Sequence, residues 1–172
     1  MVEVLDDDMV FSSLIFLYLF FPLNLIFYFI IKNNTYRNIV LLCFSFFFYA
    51  WGEPFFILAM LLSALVNYFF ALLVDKFRGN IRSKLALWAA VAFDLCMLGI
   101  FKYYNFIVGN INYIFHTAIP FSSIGLPIGI SFYTFQIISY VVDVYKGDVP
   151  AQKHFYKLLL YMCLYHQLIA GP

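Results

Sequence analysis

Apolar stretches separated by short polar breaks fill the chain from Phe11 to Pro172. Phe11–Ile31 contains no charged side chain, and as a helix at ~1.5 Å per residue it is about 30 Å long, the thickness of a bilayer's hydrocarbon core. Because backbone groups in lipid must hydrogen-bond to one another, each apolar run is predicted to be a helix. The runs are Phe11–Ile31, Ile39–Trp51, Pro54–Val74, Leu85–Phe101, Ile124–Val142 and Leu158–Ala170.

The basic residues predict how these runs cross the membrane. Nine of the ten follow the first, third and fifth runs, and with one crossing per run they all fall on one side, which the positive-inside rule makes the cytoplasm. The pattern therefore predicts an all-α polytopic transmembrane helix bundle of about six membrane helices, with the N-terminus outside. Residues 1–10 are predicted to be an acidic extracytoplasmic leader, Asp75–Lys84 the main inner loop and Asn110–Ser123 the longest outer segment. Pro22 is predicted to interrupt the first helix.

The composition excludes a soluble domain, because 65% of the residues are hydrophobic and 11% are charged. The lipid bilayer is therefore an expected partner, whereas a net charge of +1 gives no reason to expect nucleic acid. The sequence has no metal-ligand spacing of Cys or His, no Gly-rich phosphate loop and no serine-nucleophile motif. We expect neither a metal nor a bound cofactor.

Polar residues within apolar runs are candidates for function, because they are costly in lipid. In the fifth run, Tyr133, Gln136, Tyr140 and Asp143 share one face at helical spacing, together with Ser139. Such a stripe is expected to face the bundle interior or a watery cavity. The apolar residues Ile137, Ile138, Val141 and Val142 are expected largely elsewhere, toward lipid or neighbouring helices. The alternative is that these groups bond to neighbouring helices and have a structural role only.

Asp94 is the second candidate, since it lies in the middle of the fourth run and needs a partner, a proton or water there. Lys102, eight residues later, is one conceivable partner, although a long lysine also bends toward the interface. Asn67 and Ser63 form a further polar spot, which is typical of helix packing. For Asp94 too, a structural polar contact is the alternative to a chemical role.

Five groups of motifs resemble those of a known family. The groups are Met9-Val10-Phe11-Ser12-Ser13; Tyr36-Arg37-Asn38 with Phe48-Tyr49-Ala50-Trp51; Phe101–Phe106 (FKYYNF); Leu126–Gln136 (LPIGISFYTFQ) with Ser139-Tyr140, Asp143-Val144-Tyr145 and Gly147-Asp148; and Gln167–Pro172 (QLIAGP). In this order and spacing they resemble bacterial membrane-bound O-acyltransferases (MBOAT) of the alginate O-acetylation type. Residues 11–172 would then be the N-terminal part of a transmembrane O-acyltransferase domain, truncated at its C-terminus.

The resemblance implies an enzyme of the bacterial cytoplasmic membrane. It implies transfer of an acyl group, usually acetyl, from a cytoplasmic donor such as acetyl-CoA to hydroxyls of an extracytoplasmic polysaccharide, with an outer partner protein completing the transfer. In the family the catalytic histidine lies downstream of Gly171-Pro172, and none of His116, His154 and His166 matches it. We therefore expect no catalytic residue within this chain and no activity from it alone.

Two other functions stay open at this point. A transporter or flippase subunit would also use broken helices and intramembrane carboxylates, although no paired, interrupted helices in related halves are visible here. A non-catalytic membrane assembly subunit would accommodate the missing histidine. The three hypotheses differ in what they expect of the full gene. A downstream membrane histidine would favour the enzyme, a repeated, inverted set of spans the transporter, and a stop codon after Pro172 the assembly subunit.

Overall fold

The computed structural model describes residues 14–52, 56–118, 120 and 129–165. Within these ranges the chain is all-helical and contains no strand. The predicted leader at residues 1–10, Glu53, Pro54 and His166 lie outside the described residues. In chain order the elements are a π-helical turn, Phe16–Phe20, then α1 (Phe21–Ile30), α2 (Asn34–Gly52), α3 (Phe56–Lys76), α4 (Ile81–Phe115), α5 (Ile130–Lys146) and α6 (Phe155–Cys163).

Two of these helices are long and apolar enough to cross a membrane. They are α3 with 21 residues and α4 with 35, and Phe16–Ile30 is a shorter apolar helix. At ~1.5 Å per residue α4 is about 52 Å long, well beyond the hydrocarbon core. An all-α membrane fold is thereby confirmed, while the count of about six crossings stays a prediction.

Pro22 disturbs the first helix in an identifiable way. Proline has no N–H to donate to the carbonyl four residues earlier, which belongs to Tyr18. Just before it, residues Phe16–Phe20 are π-helical, and the Phe21 N–H donates to the Phe16 carbonyl, five residues back. The predicted interruption therefore takes the form of a widened turn ahead of the proline, with α1 continuing after it.

The structure divides into two compact units, and the division falls after Leu61, within α3. The first unit combines the described residues up to Leu61 with those from His154 to Tyr165, and in it α2 packs against α1 and α6. Its core is aromatic and is built from Phe16, Phe20, Phe48 and Tyr165. The helix α2 begins earlier than its apolar run, because the Asn33 side chain accepts a 2.8 Å hydrogen bond from the Thr35 N–H and caps the helix.

The second unit runs from Leu62 to Lys153 and contains most of α3 together with α4 and α5. Small residues dominate its core, which allows close approach of helix backbones. The core residues are Ala71, Val74, Ala86, Ala90, Val141, Val144 and Ala151. All the candidate residues predicted from the sequence lie in this unit.

The limits of α4 correct two of the predicted connections. The inner loop predicted at Asp75–Lys84 is reduced to Phe77–Asn80, because α3 extends to Lys76 and α4 starts at Ile81. The outer segment predicted from Asn110 is helical as far as Phe115. Polar residues lower the hydropathy there, but no proline interrupts the helix before His116, where the backbone turns left-handed at φ 50°.

Candidate functional site

The four residues predicted on α5 differ in how far their side chains are buried. Tyr133 is buried, with 2% of its surface exposed, whereas Gln136, Tyr140 and Asp143 are half-buried. The buried face is otherwise mainly apolar: Ile130, Thr134, Ile137, Val141 and Val144. The structure thus places Tyr133 in the packed core and the other three polar side chains on the flank of α5, next to the face that Ile137 and Val141 occupy.

Tyr140 holds the segment that follows α5. Its phenolic oxygen accepts a 2.8 Å hydrogen bond from the Gln152 backbone N–H. On α3, the Tyr68 hydroxyl donates to the Lys153 carbonyl over 2.7 Å. Two tyrosines on different helices therefore fix adjacent residues of this connection, so Tyr140 has a structural task whether or not it lines a passage.

Asp143 lies in the last turn of α5, where the helix ends in a tight cap. The Gly147 N–H donates to the Asp143 and Val144 carbonyls, at 3.0 and 3.2 Å, and the Asp148 N–H donates to the Asp143 carbonyl at 3.0 Å. A carboxylate near a helix C-terminus faces the negative end of the helix dipole, which disfavours it. Within the described ranges Asp143 takes part in no ion pair, since the ion pair found there joins Arg78 to Asp75.

Asp94 on α4 is the centre of a buried polar cluster with two residues of α3. Its Oδ1 accepts hydrogen bonds from Ser63 Oγ at 3.1 Å and from Asn67 Nδ2 at 2.8 Å. The exposed fractions of Asp94, Asn67 and Ser63 are 1%, 0% and 2%. Asn67 Nδ2 also donates to the Ser63 backbone carbonyl at 3.0 Å, so the three residues form one network. We call it the Asp94 cluster.

Lys102 is not the partner of Asp94. Its ammonium lies 3.4 Å from Ser131 Oγ and 5.6 Å from the centre of the Tyr103 ring, in an exposed position. Along α4 the two residues are eight positions apart, a rise of about 12 Å. Asp94 is therefore bonded across to α3 and not along its own helix.

The Asp94–Asn67 contact joins a candidate residue of α4 to the polar spot of α3, and the periodicity of single helices does not predict it. A signal for it was present in the sequence. The connection between α3 and α4 is only four residues long, so the two helices are antiparallel neighbours. Counting back from Lys76 to Asn67 and forward from Ile81 to Asp94 gives depths of roughly 14 and 20 Å at ~1.5 Å per residue, about one helical turn apart and within reach of two side chains.

A basic hollow lies at the α3–α4 connection, beside the C-terminal end of α5. It has a volume of about 490 Å³ and is lined by Gly79, Asn80, Ile81, Lys84, Tyr145 and Lys146. The two lysines give it a positive charge. Asp143 lies one helical turn before Lys146, so the hollow and Asp143 share the same end of α5.

The histidines take no part in these clusters as far as the structure describes them. His116 is exposed where α4 ends, and His154 is exposed where α6 begins. No group of three or more His, Cys, Asp or Glu side chains suited to a metal ion occurs in the described part of the chain.

Comparison with known proteins identifies the relatives of this chain. It is 42% identical to the "probable alginate O-acetylase AlgI" of Pseudomonas aeruginosa over 171 residues, which are 95% of this chain and 32% of that protein. The protein of the same name from Azotobacter vinelandii is also 42% identical, with 95% and 34% covered. Over nearly its whole length this chain is therefore similar to a part of the alginate O-acetylases. The resemblance predicted from the five groups of motifs is thereby confirmed.

A more distant relative broadens the comparison. The "peptidoglycan O-acetyltransferase" of Helicobacter pylori is 29% identical over 192 residues, which cover 95% of this chain and 36% of the relative. The names of all three relatives denote transfer of acetyl groups to oxygen, so the predicted resemblance to O-acyltransferases is confirmed. The chain spans about a third of the length of these relatives. No protein-family model and no solved structure matches it.

Proposed function

We propose that this chain belongs to an enzyme that moves an acetyl group from a cytoplasmic donor such as acetyl-CoA to hydroxyls of an extracytoplasmic polysaccharide. The observation that carries the proposal is the 42% identity to alginate O-acetylases over 95% of the chain. The setting we propose is the bacterial cytoplasmic membrane, crossed several times, with the N-terminus outside. We further propose that an outer partner protein passes the acyl group to the polymer.

A donor on one side and an acceptor on the other require a polar route through apolar helices. Gln136, Tyr140 and Asp143 support such a route, because they follow one flank of α5 and stay half-buried. The basic hollow next to the C-terminal end of α5 supports donor entry from the same end, since its lysines complement the phosphates of a CoA thioester. In this proposal the three side chains of α5 line the cytoplasmic part of the passage.

Asp143 is the member of this set that we expect to matter most. Its carboxylate is held against the helix dipole and takes part in no ion pair within the described residues. A charged group in that position is suited to accept hydrogen bonds from a ligand, and so to position a donor or an acceptor hydroxyl. None of His116, His154 and His166 matches the family histidine, so we assign residues 14–165 a role in binding and positioning and the proton transfer to a histidine elsewhere in the enzyme.

The test uses the full-length enzyme in its own membrane. Asp143→Asn should lower the acetyl content of the cell-surface polysaccharide about tenfold or more while the amount of protein in the membrane stays the same. The matched control is Asp148→Asn, an exposed carboxylate five residues later, which should leave acetylation unchanged. Full acetylation in Asp143→Asn would remove Asp143 from the site. A wild-type enzyme that acetylates no polysaccharide would contradict the function itself.

A further inference from the structure

The Asp94 cluster contains two buried acceptor atoms for which the described residues supply no donor. They are Asp94 Oδ2 and Asn67 Oδ1. Both atoms belong to the pair that is already joined by the 2.8 Å bond from Asn67 Nδ2 to Asp94 Oδ1. Buried polar atoms are rarely left without a partner, and in the middle of a membrane helix water does not readily supply one.

The orientation of the Asn67 amide does not remove the problem. Its Nδ2 faces two acceptors, the Ser63 carbonyl at 3.0 Å and Asp94 Oδ1 at 2.8 Å. If the amide were flipped, its oxygen would face both acceptors and the two bonds would be lost. The amide orientation that keeps both bonds therefore leaves Asp94 Oδ2 and Asn67 Oδ1 without a donor.

The charges around Asp94 do not favour a carboxylate. Besides Asp94 itself and the exposed Lys102, the charged side chains of α3, α4 and α5 lie near the helix ends, and none of them, nor Lys102, forms an ion pair with Asp94 in the described part of the chain. The nearest along α4 are Lys84 and Lys102, ten and eight residues away. An unpaired charge at this depth is strongly disfavoured, and a buried acid avoids it by keeping its proton.

We propose that Asp94 binds a proton on Oδ2, and that this neutral acid forms a two-way pair with the Asn67 side chain. In the pair, Asn67 Nδ2 donates to Asp94 Oδ1, and the Oδ2–H of Asp94 donates to Asn67 Oδ1. The proton comes from water as the helices assemble, and no covalent bond to carbon changes. One proton satisfies both acceptors and makes the link between α3 and α4 electrically neutral.

A metal cation fits the cluster less well than a proton. Hard cations take about six oxygen ligands, whereas the side chains of Asp94, Asn67 and Ser63 supply four oxygens at most. The backbone carbonyls of neighbouring turns are engaged within the helices. The proton site does not depend on the proposed acyl transfer, and its test does not measure activity.

Infrared spectroscopy of the full-length protein in bilayers tests the proposal directly. At neutral pH the wild type should show the carbonyl stretch of a protonated carboxyl group, exchanging slowly with D₂O because the site is buried. Asp94→Asn should abolish that band, and the control Asp148→Asn should retain it. A spectrum without the band, or a band that persists in Asp94→Asn, would overturn the proposal.

Thermal unfolding gives a second, independent result. Asn at position 94 replaces the acid by an amide of the same shape, so Asp94→Asn should unfold within about 2 °C of the wild type, whereas Asp94→Ala should unfold more than about 4 °C lower. If Asp94→Asn lowered or raised the unfolding temperature strongly, Asp94 would be an ionised carboxylate in the wild type. Either result would contradict the neutral acid. A higher unfolding temperature in Na⁺ than in choline, lost in Asp94→Asn, would show a cation site and also contradict it.

Discussion

A methyl group placed on Gly147 would lie 3.1 Å from Nη1 of Arg78. The guanidinium is held there by two hydrogen bonds of Nη2, to Asp75 Oδ1 at 2.8 Å and to the Val144 carbonyl at 3.2 Å. Arg78 in the α3–α4 connection thus caps the C-terminal turn of α5, where a cation also interacts favourably with the helix dipole. Gly147 is the residue that leaves room for it.

Gly147→Ala is the first prediction. The residue has φ +91°, which L side chains rarely adopt, and the new methyl would press on Arg78. We expect a loss of about 1–2 kcal/mol in the free energy of unfolding. Gly99→Ala is a control of opposite sign, because Gly99 lies within α4 with nothing within 4 Å of the added methyl, and alanine favours a helix by up to about 1 kcal/mol. Equal effects of the two substitutions would contradict this description.

Ser83→Ala is predicted to weaken the junction of α3 and α4. The Ser83 hydroxyl is fully buried and donates to the Val74 carbonyl at 3.0 Å. Without it, that carbonyl loses a bond in an apolar setting, which costs about 1–3 kcal/mol in unfolding free energy. Ser139→Ala is the control, since the exposed Ser139 hydroxyl donates only to the Gln136 carbonyl of its own helix. A cost for Ser83→Ala no larger than for Ser139→Ala would show that the junction bond is unimportant.

Tyr140→Phe is predicted to loosen the segment after α5. The substitution removes the acceptor of the Gln152 N–H, a bond of 2.8 Å. Losing about 1 kcal/mol of hydrogen bonding should speed amide hydrogen exchange at Gln152 about fivefold. The exposed Tyr103 on α4 provides the control, because Tyr103→Phe should leave exchange at Gln152 unchanged. Unaltered exchange in Tyr140→Phe would mean that this bond does not hold the segment in solution.

The first unit contains a buried polar pair that a double-mutant cycle can measure. Asn24 Nδ2 donates to the Tyr165 phenolic oxygen at 3.1 Å, between residues 141 positions apart. Asn24→Ala and Tyr165→Phe should be coupled by about 1 kcal/mol in unfolding free energy. The cycle of Asn24→Ala with Tyr18→Phe should show no coupling, because Tyr18 is 73% exposed. Additivity in the first cycle would contradict the pair.

The position of a helix could be predicted from the sequence wherever the helical segment is also apolar. Between Lys102 and Phe115 the segment is helical but less apolar, because asparagines and a lysine lower the hydropathy without ending the helix. The apolar run therefore stops at Phe101, although the backbone has no reason to leave the helical conformation before His116. Hydropathy reports the solvent around a helix, and it misses helical turns that leave the hydrocarbon core.

The free-energy cost of a polar side chain in lipid predicts the candidate residues, but it does not predict which residues they contact. The sequence offers Lys102 on the same helix as a partner for Asp94, whereas the partners in the structure, Asn67 and Ser63, lie on the preceding helix. Periodicity arranges residues on one helix and carries no information on the rotation of two helices about their axes. For the same reason the sequence stripe did not predict that Ile137 and Val141 would form the buried side of α5 next to the polar residues.

The most direct test of the central claim, that these helices cross a membrane, uses the two ends of α4. Single cysteines are introduced at Arg82 and at Tyr113, both exposed and about 46 Å apart along the helix, in a full-length variant lacking its native cysteines. An impermeant thiol reagent is applied to intact cells and to inverted vesicles. We predict labelling of Arg82→Cys only from the cytoplasmic side and of Tyr113→Cys only from outside. Labelling of both positions from the same side would contradict the account.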